Sequence, residues 1–201
     1  MSTLVKSEYR TVQALELVED LSGGERTQKI REVTEQIASF ISELSSNFVT
    51  SPTSQSEALL ERVVRSPEHT RLLALDHSSE IIGVAALSTV LGIGERPTAD
   101  VNPAYDGEMN IHTVLEDFVV APKYQGIGVS HVLWDSMIDW SVGQEASALL
   151  FESKMRMKPA HAFYLGKGCV SPDVWLGEED QLIYPSPEVD TLHFSKDLRG
   201  L

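Results

Sequence analysis

Cysteine is almost missing from this sequence. Cys169 is the only one in 201 residues, so an internal disulfide is excluded and a reducing compartment fits. Lying between a helix pattern and a strand pattern, it reads as a small core residue before it reads as a nucleophile. Basic charge is also scarce: 16 Lys and Arg stand against 30 Asp and Glu, a net charge of −14. A nucleic-acid partner needs a basic surface and is not expected. The acid excess serves solubility, and it also suits a small cation drawn in by the field. No apolar run is long enough to span a bilayer; the most apolar stretch, residues 81–94, holds Ser88 and Thr89. The opening MSTLVKSEYR lacks the apolar segment of a signal peptide, so no membrane association is expected and the cytoplasm is the expected location. No His/Cys/Asp group has zinc spacing, and no metal is expected. No G-x-x-x-x-G-K-[ST] phosphate loop occurs anywhere.

What is present is an alternation of strand and helix patterns over residues 1–201, with no repeat and no domain boundary, so a single domain is expected. Residues 9–18 read as a first strand. Leu21-Ser22-Gly23-Gly24 resembles the signature of ABC-transporter ATPases, but without a phosphate loop it is read as a glycine turn entering a helix. Over residues 27–48, Ile30, Val33, Ile37, Phe40, Ile41, Leu44 and Phe48 keep helical spacing. Residues 51–54 form a turn cluster and 56–65 a short helix. Residues 70–76 and 80–91 are strands around the turn His77-Ser78-Ser79, apolar enough to be covered on both faces. Residues 92–110 form a long loop carrying Glu95, Asp100, Asp106 and Glu108, either an acidic lip for a cation or plain solvated charges.

The densest chemistry lies in residues 114–130, VLEDFVVAPKYQGIGVS. A strand of about residues 111–120 carries Glu116 and Asp117 among apolar neighbours on both faces. Both acids are therefore expected to be buried, which raises a carboxyl toward a useful base at neutral pH. Either could instead be a structural ion pair; that reading is preferred for Asp117 and a functional one for Glu116. His112, on the Glu116 face, is a rival proton acceptor that ranks second. Pro122 ends the strand. Gln125-Gly126-Ile127-Gly128-Val129-Ser130 follows, then a helix through Val129, Val132, Leu133, Met137 and Trp140, with Gly143 expected as its C-cap. Strand, glycine loop and helix present main-chain N–H groups to an anion, and a pyrophosphate suits them. A fifth strand falls near 147–153. Pro159 suits the first turn of a helix carrying Phe163 and Tyr164. Residues 169–175 and 181–184 are weaker strands, and 189–197 a terminal one.

Two of these stretches resemble a known family. Gln125-x-x-Gly128-x-Ser130 is similar to the Q/R-x-x-G-x-G/A motif of the GNAT superfamily, the Gcn5-related N-acetyltransferases, with Ser130 at the small position. Residues 160–168, with Ala160, Phe163, Tyr164 and Gly168, resemble the A-x-x-F-Y-x-x-x-G motif of the family's fourth helix. Leu115-Glu116-Asp117-Phe118-Val119-Val120 looks closest to the fourth strand of diamine and polyamine acetyltransferases. The resemblance implies an α/β fold with a mixed, mostly antiparallel sheet of about six or seven strands and helices on both faces. The first two helices would wall the acceptor site. It implies acetyl-coenzyme A as donor and a primary amine of a small cationic molecule as acceptor. The pyrophosphate would lie on residues 125–130. The pantetheine arm would lie beside Phe118, Val119 and Val120, one of whose N–H groups would polarise the thioester carbonyl. Phe163 joins the donor-binding set. Glu116 matches the family's general base and Tyr164 its general acid. The chain departs from the pattern at Met157, where many members have Asn, and at Cys169, where an aromatic is usual; neither touches the loop. A protein or peptide amine as acceptor, and a non-catalytic acyl-CoA sensor, are the alternatives. A homodimer is left open.

Overall fold

The computed structural model describes residues 9–14, 16–17, 20–45, 68–92, 110–177, 181–184 and 190–201. The turn expected at 51–54, the short helix at 56–65 and most of the acidic loop, residues 93–109, lie outside the described residues. Six strands form one sheet in the order β1-β2-β3-β4-β5-β8: β1 Tyr9–Gln13, β2 His69–Asp76, β3 Ile81–Gly92, β4 Asn110–Val120, β5 Ala148–Lys154 and β8 Thr191–Asp197. β6 (Trp175–Leu176) and β7 (Leu182–Ile183) make a separate two-stranded pair. The helices are α1 Gly23–Ser45, α2 Val129–Gly143 and α3 Lys158–Gly166. β1 pairs antiparallel with β2, β2 with β3 and β5 with β8, while β4 and β5 are parallel. The mixed, mostly antiparallel sheet is the one expected.

Contacts gather the chain into two compact units, residues 1–88 with 116–137, and residues 89–115 with 138–201. In the first unit, β2 is buried along its whole length after His69, as an apolar strand covered on both faces should be. Leu73, Leu75, Ile81 and Val84 pack there with Ala14 and with Val33 and Ile37 of α1. Val33 and Ile37 are one helical turn apart and so share a face. Burying each large apolar side chain is worth about 2 kcal/mol. α1 begins at Gly23, whose φ of 56° suits only glycine without strain, so the Leu21–Gly24 stretch is indeed a turn entering a helix.

In the second unit, the β5–β8 ladder runs from Ala148↔Asp197 to Lys154↔Thr191. The parallel β4–β5 ladder runs from His112↔Ala148 only as far as Leu115↔Phe151. Two expectations are corrected here. The strand expected over 169–175 is reduced to a lone bridge, Val170↔Ser195, before β6. The residue with left-handed backbone after α2 is Glu145 (φ 58°), not Gly143. The helical turn continues past Gly143, and the closing bonds run from the Ala146 N–H to the Ser141 oxygen and from the Glu145 N–H to the Val142 oxygen. Those two bonds put the left-handed position at residue 145. After α3 the same pair of bonds falls on Cys169 to Tyr164 and Gly168 to Leu165, with Gly168 at φ 77°. The glycine that closes the A-x-x-F-Y-x-x-x-G stretch therefore caps the helix.

Candidate active site

The first unit contains the glycine loop. β4 ends at Val120, and a single 3-10 turn, Pro122–Tyr124, leads into it. Gly126 (φ 75°) and Gly128 (φ 104°) both take left-handed backbone. A Cβ on Gly128 would lie 2.8 Å from the Tyr9 hydroxyl and push that side chain aside, and the left-handed backbone itself favours glycine. Gln125 spends its own amide on the Pro122 oxygen and its side-chain Nε2 on the Val120 oxygen, at 3.2 and 3.0 Å. Among the described residues, the amides of 126–130 donate to no protein acceptor. Two of them, at Val129 and Ser130, open α2, where the helix dipole also favours negative charge. A run of open amides across a left-handed turn into a helix fits a diphosphate. Behind the loop, Phe118 meets the edge of Trp134 at 6.3 Å.

The two acids of β4 differ from expectation. Glu116 is exposed, not buried. Its Oε2 lies 3.5 Å from Nη1 of Arg71, which is 4% exposed on β2. The ion pair preferred for Asp117 on sequence grounds is thus made by Glu116. Asp117 is half-buried. Burial pushes its carboxyl above the usual range; Arg71 pulls it back down and Glu116 adds to the rise. Arg71 was the signal passed over. A cation inside TRLLALD must sit on a buried strand, and a buried cation needs a counter-charge.

The second unit holds the remaining candidates. Tyr164 is buried on α3, its ring edge-on to Phe151 at 4.6 Å and Phe194 at 5.4 Å. Burial chiefly, with some help from Cys169, raises its phenol well above the ordinary value, so it keeps its proton. Phe163 is half-buried, 5.8 Å from the Tyr164 ring. His112 is buried with Nδ1 3.1 Å from the Ser147 hydroxyl, as a hydrogen-bonded strand histidine. Cys169 is buried and its thiol is pushed up to about 12 by burial, with Lys196 opposing, which suits the core role expected of it. His161 escaped the sequence reading. It is fully buried; Nε2 lies 3.1 Å from the Lys154 carbonyl and Nδ1 2.8 Å from the Tyr184 hydroxyl. A carbonyl only accepts, so Nε2 carries the hydrogen and Tyr184 donates to Nδ1. Among the described residues no group of His, Cys, Asp and Glu could hold a metal ion.

Known proteins share this fold. Residues 37–168 match the model of the acetyltransferase (GNAT) family. No curated protein sequence matches the chain. Among solved structures, a GNAT-family acetyltransferase from Staphylococcus aureus Mu50 is similar at a TM-score of 0.61 and 14% identity, over 95% of this chain and 99% of that one. Arabidopsis thaliana NAA60 in complex with acetyl-CoA aligns at 0.61 and 15% identity, over 83% of this chain and 94% of its own. A GNAT-family acetyltransferase from Streptococcus pneumoniae aligns at 0.58 and 15% identity, over 94% and 98%. This chain belongs to the acetyltransferase (GNAT) family. It is an N-acetyltransferase, and acetyl-coenzyme A is its acetyl donor.

Proposed function

We propose that this enzyme acetylates a primary amine of a small cationic molecule, of the diamine or polyamine class, by direct attack of the amine on the donor. The observation that carries the donor half is the run of open amides at residues 126–130. Gly126, Ile127, Gly128, Val129 and Ser130 hold the diphosphate; Gln125, expected to join them, instead fixes the start of the loop through Pro122 and Val120. The β4 main chain at Phe118, Val119 and Val120 receives the pantetheine arm, and Phe163 is a further donor-binding residue. Support for that placement is the end of the β4–β5 ladder at Leu115↔Phe151. The donor supplies an acetyl group activated as a thioester.

Glu116, Asp117 and Arg71 together carry one net negative charge when all are ionised. That charge complements one ammonium and is the local part of the −14 field. An alkyl ammonium has a pKa near 10, close to that of lysine. It must lose a proton before its nitrogen can bond to the acetyl carbon. Glu116, exposed enough to meet a substrate and oriented by Arg71, is the base that takes the proton, directly or through one water. Tyr164 is the general acid that returns a proton to the leaving thiolate as the C–S bond breaks. Thiol release from acetyl-CoA across diamines, polyamines, monoamines and peptide amines tests the proposal. Fastest turnover on a di- or polyamine is the expected result. Fastest turnover on peptide amines would move the acceptor to proteins, and no amine-dependent release by folded enzyme would remove Glu116 and Tyr164 from their roles.

A further inference from the structure

β1 ends the sheet among the described residues, and its register sets Tyr9 opposite Asp76 of β2. Both residues are tied to the chain that enters and crosses the glycine loop. Tyr9 donates its hydroxyl to the Ile127 carbonyl at 2.9 Å, across 118 residues of sequence. Asp76 accepts the Tyr124 hydroxyl on Oδ2 at 3.1 Å. Asp76 is itself well anchored. Its Oδ1 accepts from the Ser78 amide at 2.9 Å, the Ser78 hydroxyl at 2.8 Å and the Glu80 amide at 3.0 Å. The Ser78 hydroxyl above all, with the other donors and against burial, holds its carboxyl at about 2. The bond to Tyr124 is therefore charge-assisted at any physiological pH.

The Tyr9 bond has a consequence for direction. A trans peptide is planar, with its C=O and N–H pointing opposite ways. The Ile127 carbonyl shares its peptide plane with the Gly128 N–H. Pinning that oxygen on Tyr9 aims the Gly128 N–H away from β1. A flip of this peptide turns on ψ of Ile127 and φ of Gly128, and Gly128 offers little resistance because glycine accepts either sign of φ.

We propose that Tyr9 and the Asp76–Tyr124 pair are positioning residues that clamp the donor loop at two points and pre-set its amides for the diphosphate, with Tyr9 orienting the Gly128 N–H. The proposal rests on the reading of residues 126–130 as the diphosphate site. It also accounts for Gly128, since any Cβ there would displace the Tyr9 hydroxyl.

The test uses full-length enzyme and coenzyme A. Y9F keeps the ring and removes the donor. A neutral hydrogen bond is worth a factor of about two to ten. The Kd for coenzyme A and the KM for acetyl-CoA are expected to rise by that factor, while kcat at saturating donor stays within about twofold. Y124F is expected to do the same, and it carries the test alone if Y9F fails to fold. In both variants coenzyme A is expected to protect the amides of 126–130 from exchange less than it does in the unaltered enzyme. T11V is the control: it removes the Thr11–Ser136 side-chain bond, 2.8 Å, which ties the same strand elsewhere. An equal loss of affinity in T11V would overturn the clamp in favour of general strand packing. Unchanged affinity in both Y9F and Y124F, with coenzyme A protecting the 126–130 amides of the unaltered enzyme, overturns the clamp alone. Absence of that protection in the unaltered enzyme removes the diphosphate site, and the clamp with it.

Discussion

The turn around Asp76 and the strand around Asp117 each bring a carboxyl out of bulk water, and they treat it in opposite ways. Asp76 closes β2 with three donors on one oxygen and a phenol on the other. Those donors outweigh burial and hold it at about 2. Asp117 lies among apolar neighbours. Burial dominates there, the Arg71 charge does not cancel it, and the carboxyl rises. Donor supply thus decides whether a carboxyl at the edge of the interior becomes a fixed anchor or a group able to exchange a proton. The anchor stands beside the entrance to the glycine loop; the labile acid stands next to Glu116.

The sharpest way to break that comparison is kinetic. If Glu116 is the base, E116Q lowers kcat by about a hundredfold near neutral pH. The loss shrinks at high pH, where more of the amine is already neutral. D117N should change kcat far less. The reverse result in a pH–rate profile would transfer the base to Asp117, and the raised carboxyl would then be the reactive one. The next largest effect is expected at Asp76. A carboxyl held below its ordinary 3.8 stabilises the fold above that value and loses the contribution as pH falls toward 2. D76N should therefore melt below the unaltered protein at neutral pH, and the two should converge as pH drops through that interval. A gap that persists at the acid end would mean that the carboxyl's charge is not what anchors the turn.

Much of this arrangement was legible in the sequence, and the reasons are local. β2, β3 and α2 announce themselves by apolar spacing. The loop is written in Gly126 and Gly128, whose left-handed φ values leave little choice of residue. What stayed hidden is pairing across the chain. Periodicity says which face of a strand is apolar but not which strand lies opposite. Nothing near Glu116 indicated that Arg71 would reach it, and nothing near Ile127 indicated Tyr9. The expected burial of Glu116 failed for the same reason: its apolar neighbours Leu115 and Val120 are buried, yet the carboxylate turns to a cation and to water. His161 was missed because a histidine one turn before Tyr164 gives no sign that both ring nitrogens will be engaged.

The smallest expected effect tests Asp117 without any catalysis. Its raised folded pKa means the folded state holds the proton more tightly than the unfolded chain does. Well below 3.8 both states are protonated and the acid contributes no pH dependence. As pH climbs above that value, the unfolded chain releases its proton first, so stability declines and then levels off once the folded carboxyl has also ionised. Asparagine does not titrate and escapes the decline. D117N should therefore melt slightly above the unaltered protein at neutral pH. The gain should vanish in acid. A D117N that melts lower at neutral pH would show that Arg71 needs this second carboxylate as well as Glu116, and Asp117 would then belong with Asp76 among the anchors.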